Sequence, residues 1–216
     1  MRLRPILAAF VAVVLGVCLV HGAGLQLGGR TADEWVKTLE TPQRIASLKI
    51  DDVVARLHLA PGSLVADIGA GSGLFEGVLA AAVSPGGTVY AVEIDQALLD
   101  HIAQRAKELR VTNVQVVLGK FTDPNLPGRN IDLAFINDVL HHIEDRAGYL
   151  KSLASYVKPR GRIAVIEFYP DRGSHTDRPE LQVTKEQAAA WMAAAGFKPS
   201  EEFDLFQEKW FVVYSR

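Results

Sequence analysis

Cysteine is nearly absent. The 216 residues hold one, Cys18, and it stands inside an apolar N-terminal run. The rest of the chain can therefore form neither a disulfide nor a thiolate metal site. Basic runs are missing as well, and no stretch interleaves aromatic with basic side chains. Lys and Arg number 23 against 25 Asp and Glu, a net charge of −2 with the signs interspersed. Both features argue against nucleic acid as a partner. There are no internal repeats and no low-complexity linker, which argues against a second large domain. The length suits one domain with a sizeable core.

What is present begins with a leader. Met1-Arg2-Leu3-Arg4 is basic, Pro5–Val20 is uncharged and mostly apolar, and His21-Gly22-Ala23-Gly24 supplies small residues. The pattern matches a secretory signal peptide. As a helix, Pro5–Val20 would span only about 24 Å, short of the roughly 30 Å hydrocarbon core. Extension to Leu27 would suffice, so the segment reads as an export signal or a membrane anchor. Arg2 and Arg4 favour a cytoplasmic amino terminus, which would place the domain across the membrane. The expected organisation is 1–24 signal or anchor, 25–60 N-terminal helices packing on the core, and 61–216 a ligand-binding domain.

Inside that domain, Val65-Ala66-Asp67-Ile68-Gly69-Ala70-Gly71-Ser72-Gly73 joins an apolar strand to a glycine turn, and Val92-Glu93-Ile94-Asp95 ends the next strand in an acid. This is the front half of a nucleoside-binding βαβ unit. Gly69 and Gly71 let the chain reverse tightly and let a ligand lie on bare backbone. Gly73 would let the following helix pack close, and the N–H groups at that helix's start favour an anionic group. Glu93 is placed to accept hydrogen bonds from two ribose hydroxyls. Asp67 would repel a pyrophosphate but pair with an ammonium. The G-x-G-x-G spacing therefore suits S-adenosylmethionine better than NAD, whose sites favour G-x-G-x-x-G.

Short apolar strands at 63–68, 88–93, 114–119, 131–136 and 161–168 alternate with helices at 73–84, 95–109 and 144–157, which indicates a doubly wound α/β fold with a mostly parallel sheet. Before them, Thr31–Glu34 has capping-box spacing. Thr41-Pro42 opens a helix whose Ile45, Leu48, Val53, Val54 and Leu57 should pack on the sheet. After them, Thr184–Gln187 caps an alanine-rich helix ending at Gly196. Runs around 203–206 and 210–214 are too close for a parallel crossover and form a hairpin.

From about residue 41 to 216 the chain resembles class I S-adenosylmethionine-dependent methyltransferases. It is most similar to the small-molecule group that includes ubiquinone- and menaquinone-pathway C-methyltransferases. The resemblance rests on Val65–Gly73, Val89–Asp95, Ile131–Ile143 and Leu153–Phe168 with Lys158-Pro159-Arg160-Gly161. It implies a seven-stranded Rossmann-like sheet with an antiparallel C-terminal strand, S-adenosylmethionine as cofactor, and methyl transfer to a small-molecule acceptor. The scarcity of cysteine argues against arsenite as that acceptor. The cofactor would be held by Asp67, Gly69, Ala70, Gly71, Gly73, Glu93, Ile94, Lys120, Phe121 and Asn137. Lys120 stands where many relatives carry an acid, so backbone groups or Asp123 would serve the adenine while Phe121 covers it.

The candidate catalytic residues are Asp138, His141 and His142. Vicinal histidines point in different directions, so at most one meets substrate, and alone they make a poor metal site. Glu167 and Tyr169 end the fifth strand near the same rim, and Asp171–Pro179, with His175, is a candidate lid. Asp145 and Arg146 read as a solvated helix face. Two other functions fit less well: a non-catalytic S-adenosylmethionine-binding protein, and an NAD-dependent oxidoreductase.

Overall fold

The computed structural model describes residues 31–216, so the leader, Cys18 and the signal-or-anchor reading lie outside the described residues. Among the described residues, no helix is long and apolar enough to cross a membrane. Seven strands form one sheet: β1 Leu64–Ile68, β2 Thr88–Glu93, β3 Val114–Leu118, β4 Ile131–Asn137, β5 Val157–Phe168, β6 Lys198–Phe203 and β7 Lys209–Ser215. Their order is β3-β2-β1-β4-β5-β7-β6. The first five pair in parallel, while β7 runs antiparallel to both β5 and β6. Strand order reverses between β1 and β4, and in such sheets ligands lie outside the strand ends at that point.

The helices are α1 Ala32–Leu39, α2 Pro42–Leu48, α3 Ile50–Arg56, α4 Glu76–Ala82, α5 Gln96–Glu108, α6 Arg146–Ala154 and α7 Lys185–Ala194. The central strands are apolar on both sides because helices cover both faces. Ile136, Val165 and Trp210 pack with α6 and α7, while Val65, Phe135 and Phe211 pack with α3 and α4. Both capping boxes form, at Thr31–Glu34 and at Thr184–Gln187.

Several boundaries differ from expectation for identifiable reasons. The single helix expected from Thr41 is two, broken at Lys49, whose backbone is left-handed. Leu48, Val53, Val54 and Leu57 are buried, but Ile45 is 39% exposed and does not pack on the sheet. The first nucleoside-side helix begins at Glu76 rather than Gly73, since Gly69, Gly71 and Gly73 all carry positive φ, which a right-handed helix excludes. β5 begins at Val157, with its register against β4 broken near Gly161. A Cβ at Gly161 would sit 2.8 Å from the Ile131 carbonyl oxygen. The C-terminal hairpin pairs Lys198–Phe203 with Lys209–Ser215, so Leu205 and Phe206 stand in the connecting link rather than in a strand.

Candidate functional site

The carboxyl ends of β1, β2 and β4 converge on the glycine turn. Gly69 has φ +71°, and a Cβ there would lie 2.5 Å from Val139 Cγ2. The turn thus rests directly on the segment that follows β4. At Gly73 the close neighbour is Ile102 of α5, 3.0 Å from an added Cβ, so this glycine admits a helix side chain. Leu39, the last residue of α1, comes within 3.4 Å of a Cβ built on Gly71. The N-terminal helix therefore covers the turn, and Arg105 of α5 holds it there through Glu40 at 2.8 Å.

Glu93 is buried and accepts three backbone N–H groups: Gly71 at 3.0 Å, Ile94 at 2.7 Å and Asp95 at 3.3 Å. It fixes the two strand tips relative to each other; Oε1 takes both Ile94 and Asp95, while Oε2, which takes Gly71, keeps a further lone pair for a hydroxyl. Burial raises its pKa. Asp95 is spent elsewhere: its side chain caps α5 through the N–H groups of Ala97 and Leu98.

Beneath the turn lies a feature the motif reading missed. Asp67 and Glu76 are 4% and 3% exposed, and their carboxyl groups meet each other. Burial pushes Asp67 up to about 7, the neighbouring Glu93 adding to the rise. Burial first, then the charge of Asp67, raises Glu76 well above the ordinary carboxyl range. The pair is best written as two carboxyl groups sharing a proton. Ser72 Oγ is buried with no hydrogen-bond partner among the described residues, and the Glu76 oxygens have none beyond the proton shared with Asp67. An anion at this helix start is therefore disfavoured, because an acid already occupies its first turn. The sequence signal was a lone charge within the apolar, small-residue run Gly73–Val83.

This pair makes stability depend on pH. In the unfolded chain both carboxyls ionise near pH 4, whereas the folded chain keeps the proton until about pH 7 at Asp67. Between those values the folded state binds more protons, so stability falls as pH rises. Glu76→Gln is expected to flatten that slope and to raise Tm at neutral pH. Thermal unfolding of both proteins across this range checks it.

On the far side of the switch point, the residue after β4, Asp138, has φ +56°, unusual for a residue with a Cβ. Its Oδ2 accepts from Lys209 Nζ at 2.6 Å and lies 3.8 Å from Arg44 of α2. Its Oδ1 is buried with no partner among the described residues. Burial raises its pKa, with Lys209 pulling the other way.

A 3-10 turn, Leu140–His142, follows. His141 is buried, with Nδ1 at 2.8 Å from Glu167. Glu167 also accepts the backbone N–H of His141 at 3.2 Å and of Phe168 at 2.9 Å. His142 is exposed, its ring 4.1 Å from that of His141. The two histidines differ in exposure, but their rings lie against each other rather than pointing apart as expected. The segment expected as a lid packs over them: His175 lies 5.0 Å from the His141 ring, and His141, Glu167, Tyr169, His175 and Leu181 close together without room for a water molecule.

Arg146 is not a solvated charge. It donates to the carbonyl oxygens of Leu140 at 3.2 Å, His141 at 3.0 Å and Glu180 at 2.8 Å, and so ties the turn to the cover. Asp145 caps α6 through Gly148.

In the loop after β3, the Lys120 backbone pairs with that of Asp123. The Asp123 carboxylate is taken by Ser152 and Tyr156, so it is not free for an adenine. Phe121 is 53% exposed and can lie over a ring. Asn137 ends β4 beside β1.

The donor set fits a cationic nucleoside. Three buried acids, Asp67, Glu76 and Glu93, lie around the glycine turn. A pyrophosphate would add negative charge to them, whereas an ammonium or sulfonium would neutralise it.

Comparison with known proteins gives the same picture. A family model described as "Methyltransferase domain" matches residues 66–165. An uncharacterized 37.1 kDa protein in a transposon of Streptomyces fradiae is 33% identical over 149 residues, 68% of this chain and 41% of that protein. Demethylmenaquinone methyltransferase of a Geobacillus strain is 27% identical over 117 residues, 54% of this chain and 50% of that enzyme. The chain thus spans half or less of the length of these curated relatives. Among solved structures, a SAM-dependent methyltransferase from Aquifex aeolicus superposes with a TM-score of 0.77 at 20% identity, covering 86% of this chain and 98% of that one.

Proposed function

We propose that the chain is a class I S-adenosylmethionine-dependent methyltransferase that methylates a small-molecule acceptor by direct displacement, a reading supported by the methyltransferase-domain match over residues 66–165. The observation that carries the reading is the acidic, glycine-floored cradle at the tips of β1 and β2, with Ser72 Oγ unpartnered among the described residues. Bound there, S-adenosylmethionine supplies an electrophilic methyl group on a sulfonium.

The protein's share is binding, orientation and proton removal. Glu93 offers the remaining Oε2 lone pair to a ribose hydroxyl, Asp67 with Glu76 faces the ammonium, Phe121 covers the adenine, and Asn137 lines the methionyl side. Ala70, Ile94 and Lys120 contribute backbone to the cradle rim. Orientation of donor and acceptor contributes about 7–11 kcal/mol, against roughly 10²–10⁴-fold for a general base, so positioning is the larger effect. Of the three candidate bases, Asp138 fits best: its Oδ1 has no partner among the described residues. His141 is committed to Glu167 beneath the cover, which makes it a positioning residue for the turn after β4. His142 lies outside the crevice floor.

The test is incubation of the full chain with methyl-labelled S-adenosylmethionine and a panel of small acceptors. The expected result is labelled product together with S-adenosylhomocysteine. Tight nucleoside binding without labelled product from any acceptor would instead support the non-catalytic reading.

A further inference from the structure

Glu76 belongs to no part of the glycine motif, yet its carboxyl group meets that of Asp67 beneath the turn. The two residues are 3% and 4% exposed. A Cβ built on Gly73 would come 3.3 Å from Glu76 Oε2, so this carboxyl reaches the third glycine of the cradle. On the same turn Ser72, at 2% exposure, holds a hydroxyl with no partner among the described residues.

The charges that face the pair come from four elements: Asp67 on β1, Glu76 at the start of α4, Glu93 at the end of β2 and Arg105 on α5. Three of these four are acids. Arg105 is held at 2.8 Å by Glu40, which His101 also approaches at 3.7 Å. Its charge is thus shared with a third carboxylate above the turn. Two carboxyl groups in contact, out of water and without a counter-charge of their own, do not both ionise. In the protein alone that counter-charge is a proton. An ammonium can replace it, and the nucleoside of the proposed reaction carries one.

We propose that the Asp67–Glu76 pair gives up its shared proton to solvent when the ammonium of S-adenosylmethionine binds, which makes Glu76 a positioning residue for the methionyl end of the cofactor. The inference rests on the methyl-transfer reading for the identity of the ligand. The exchange conserves charge. Before binding the pair carries one proton and one negative charge; afterwards it carries two negative charges against the one positive charge of the ammonium. One O–H bond breaks and no other covalent bond changes. Because binding releases a proton, affinity rises with pH for as long as the pair retains it. For one proton the limit is about tenfold per pH unit, and the rise ends near pH 7, where Asp67 ionises without help.

The test is calorimetry on the full chain at about pH 6, below the ionisation of a free amine, in buffers of different ionisation enthalpy. The two ligands are S-adenosylhomocysteine and 5′-methylthioadenosine, which keeps the nucleoside and its sulfur but lacks the ammonium. Both carry the ribose that Glu93 would hold, so a proton moved at Glu93 appears in both titrations and cancels in their difference. The expected difference is release of about one half to one proton per bound S-adenosylhomocysteine, with an affinity that climbs about three- to tenfold more per pH unit. Glu76→Gln keeps the size but leaves Asp67 as the single carboxyl, so the difference should vanish. A purely structural Glu76 would instead weaken both ligands alike and leave proton release as in the parent. Should Glu76→Gln fail to fold, the two ligands on the parent chain still decide.

Equal proton release with both ligands, an affinity for S-adenosylhomocysteine that ignores pH, or release that survives Glu76→Gln would each overturn the exchange and leave the cofactor reading standing. Failure of S-adenosylhomocysteine to bind at any pH would remove the cofactor reading itself, and the exchange with it.

Discussion

Glu93→Ala is expected to weaken S-adenosylhomocysteine binding about 100-fold by calorimetry. Hydrogen bonds to a charged group are worth roughly 1.5–3 kcal/mol, and each 1.4 kcal/mol is a factor of ten in affinity. The carboxylate serves the ligand and also the turn, because it holds the N–H groups of Gly71, Ile94 and Asp95. Glu93→Gln keeps the size and one acceptor oxygen, so its loss should be smaller, about tenfold. If both variants bind as the parent does, the nucleoside does not lie across the β1 and β2 tips.

Glu167→Ala should be the most destabilising single change at the site, by about 3–5 kcal/mol. The residue is 1% exposed, and its two oxygens receive the His141 ring nitrogen and two backbone N–H groups. Truncation leaves these groups buried and unsatisfied, at roughly 1–3 kcal/mol each when fully desolvated. For a domain of this size the change corresponds to a fall in Tm of about 10 °C. His141→Ala removes one partner and leaves the others, so it should cost less. A Glu167→Ala protein that melts with the parent would show that the cover already admits water to this dyad.

The cradle was the most legible part of the site, since glycine spacing and an acid at the next strand end report backbone geometry directly. Gly69, Gly71, Gly73 and Glu93 stand where the motif put them. Pairings between distant segments left no local trace. Nothing near Glu167 in sequence indicates His141, and nothing near Lys209 indicates Asp138, which lies 71 residues away. Arg146 looked like any helix-face charge because its three carbonyl partners belong to a turn and a cover whose approach depends on the whole fold.

Local rules erred in two recognisable ways. The helix after the turn starts later than its apolar pattern indicates, because three positive-φ glycines delay it to Glu76. The C-terminal hairpin begins earlier than the apolar runs indicate, since Lys198–Phe203 is largely polar and exposed as an edge strand, and the apolar Leu205 and Phe206 that mimic a strand line a cleft with Lys49 and Tyr169.

The most direct test of the central claim is a calorimetric titration of the purified chain with S-adenosylhomocysteine, repeated with NAD. One molecule of S-adenosylhomocysteine per chain should bind, S-adenosylmethionine should displace it, and NAD should give no heat. Saturable NAD binding, with S-adenosylhomocysteine inert, would contradict the assignment of the acidic cradle to an adenosyl sulfonium.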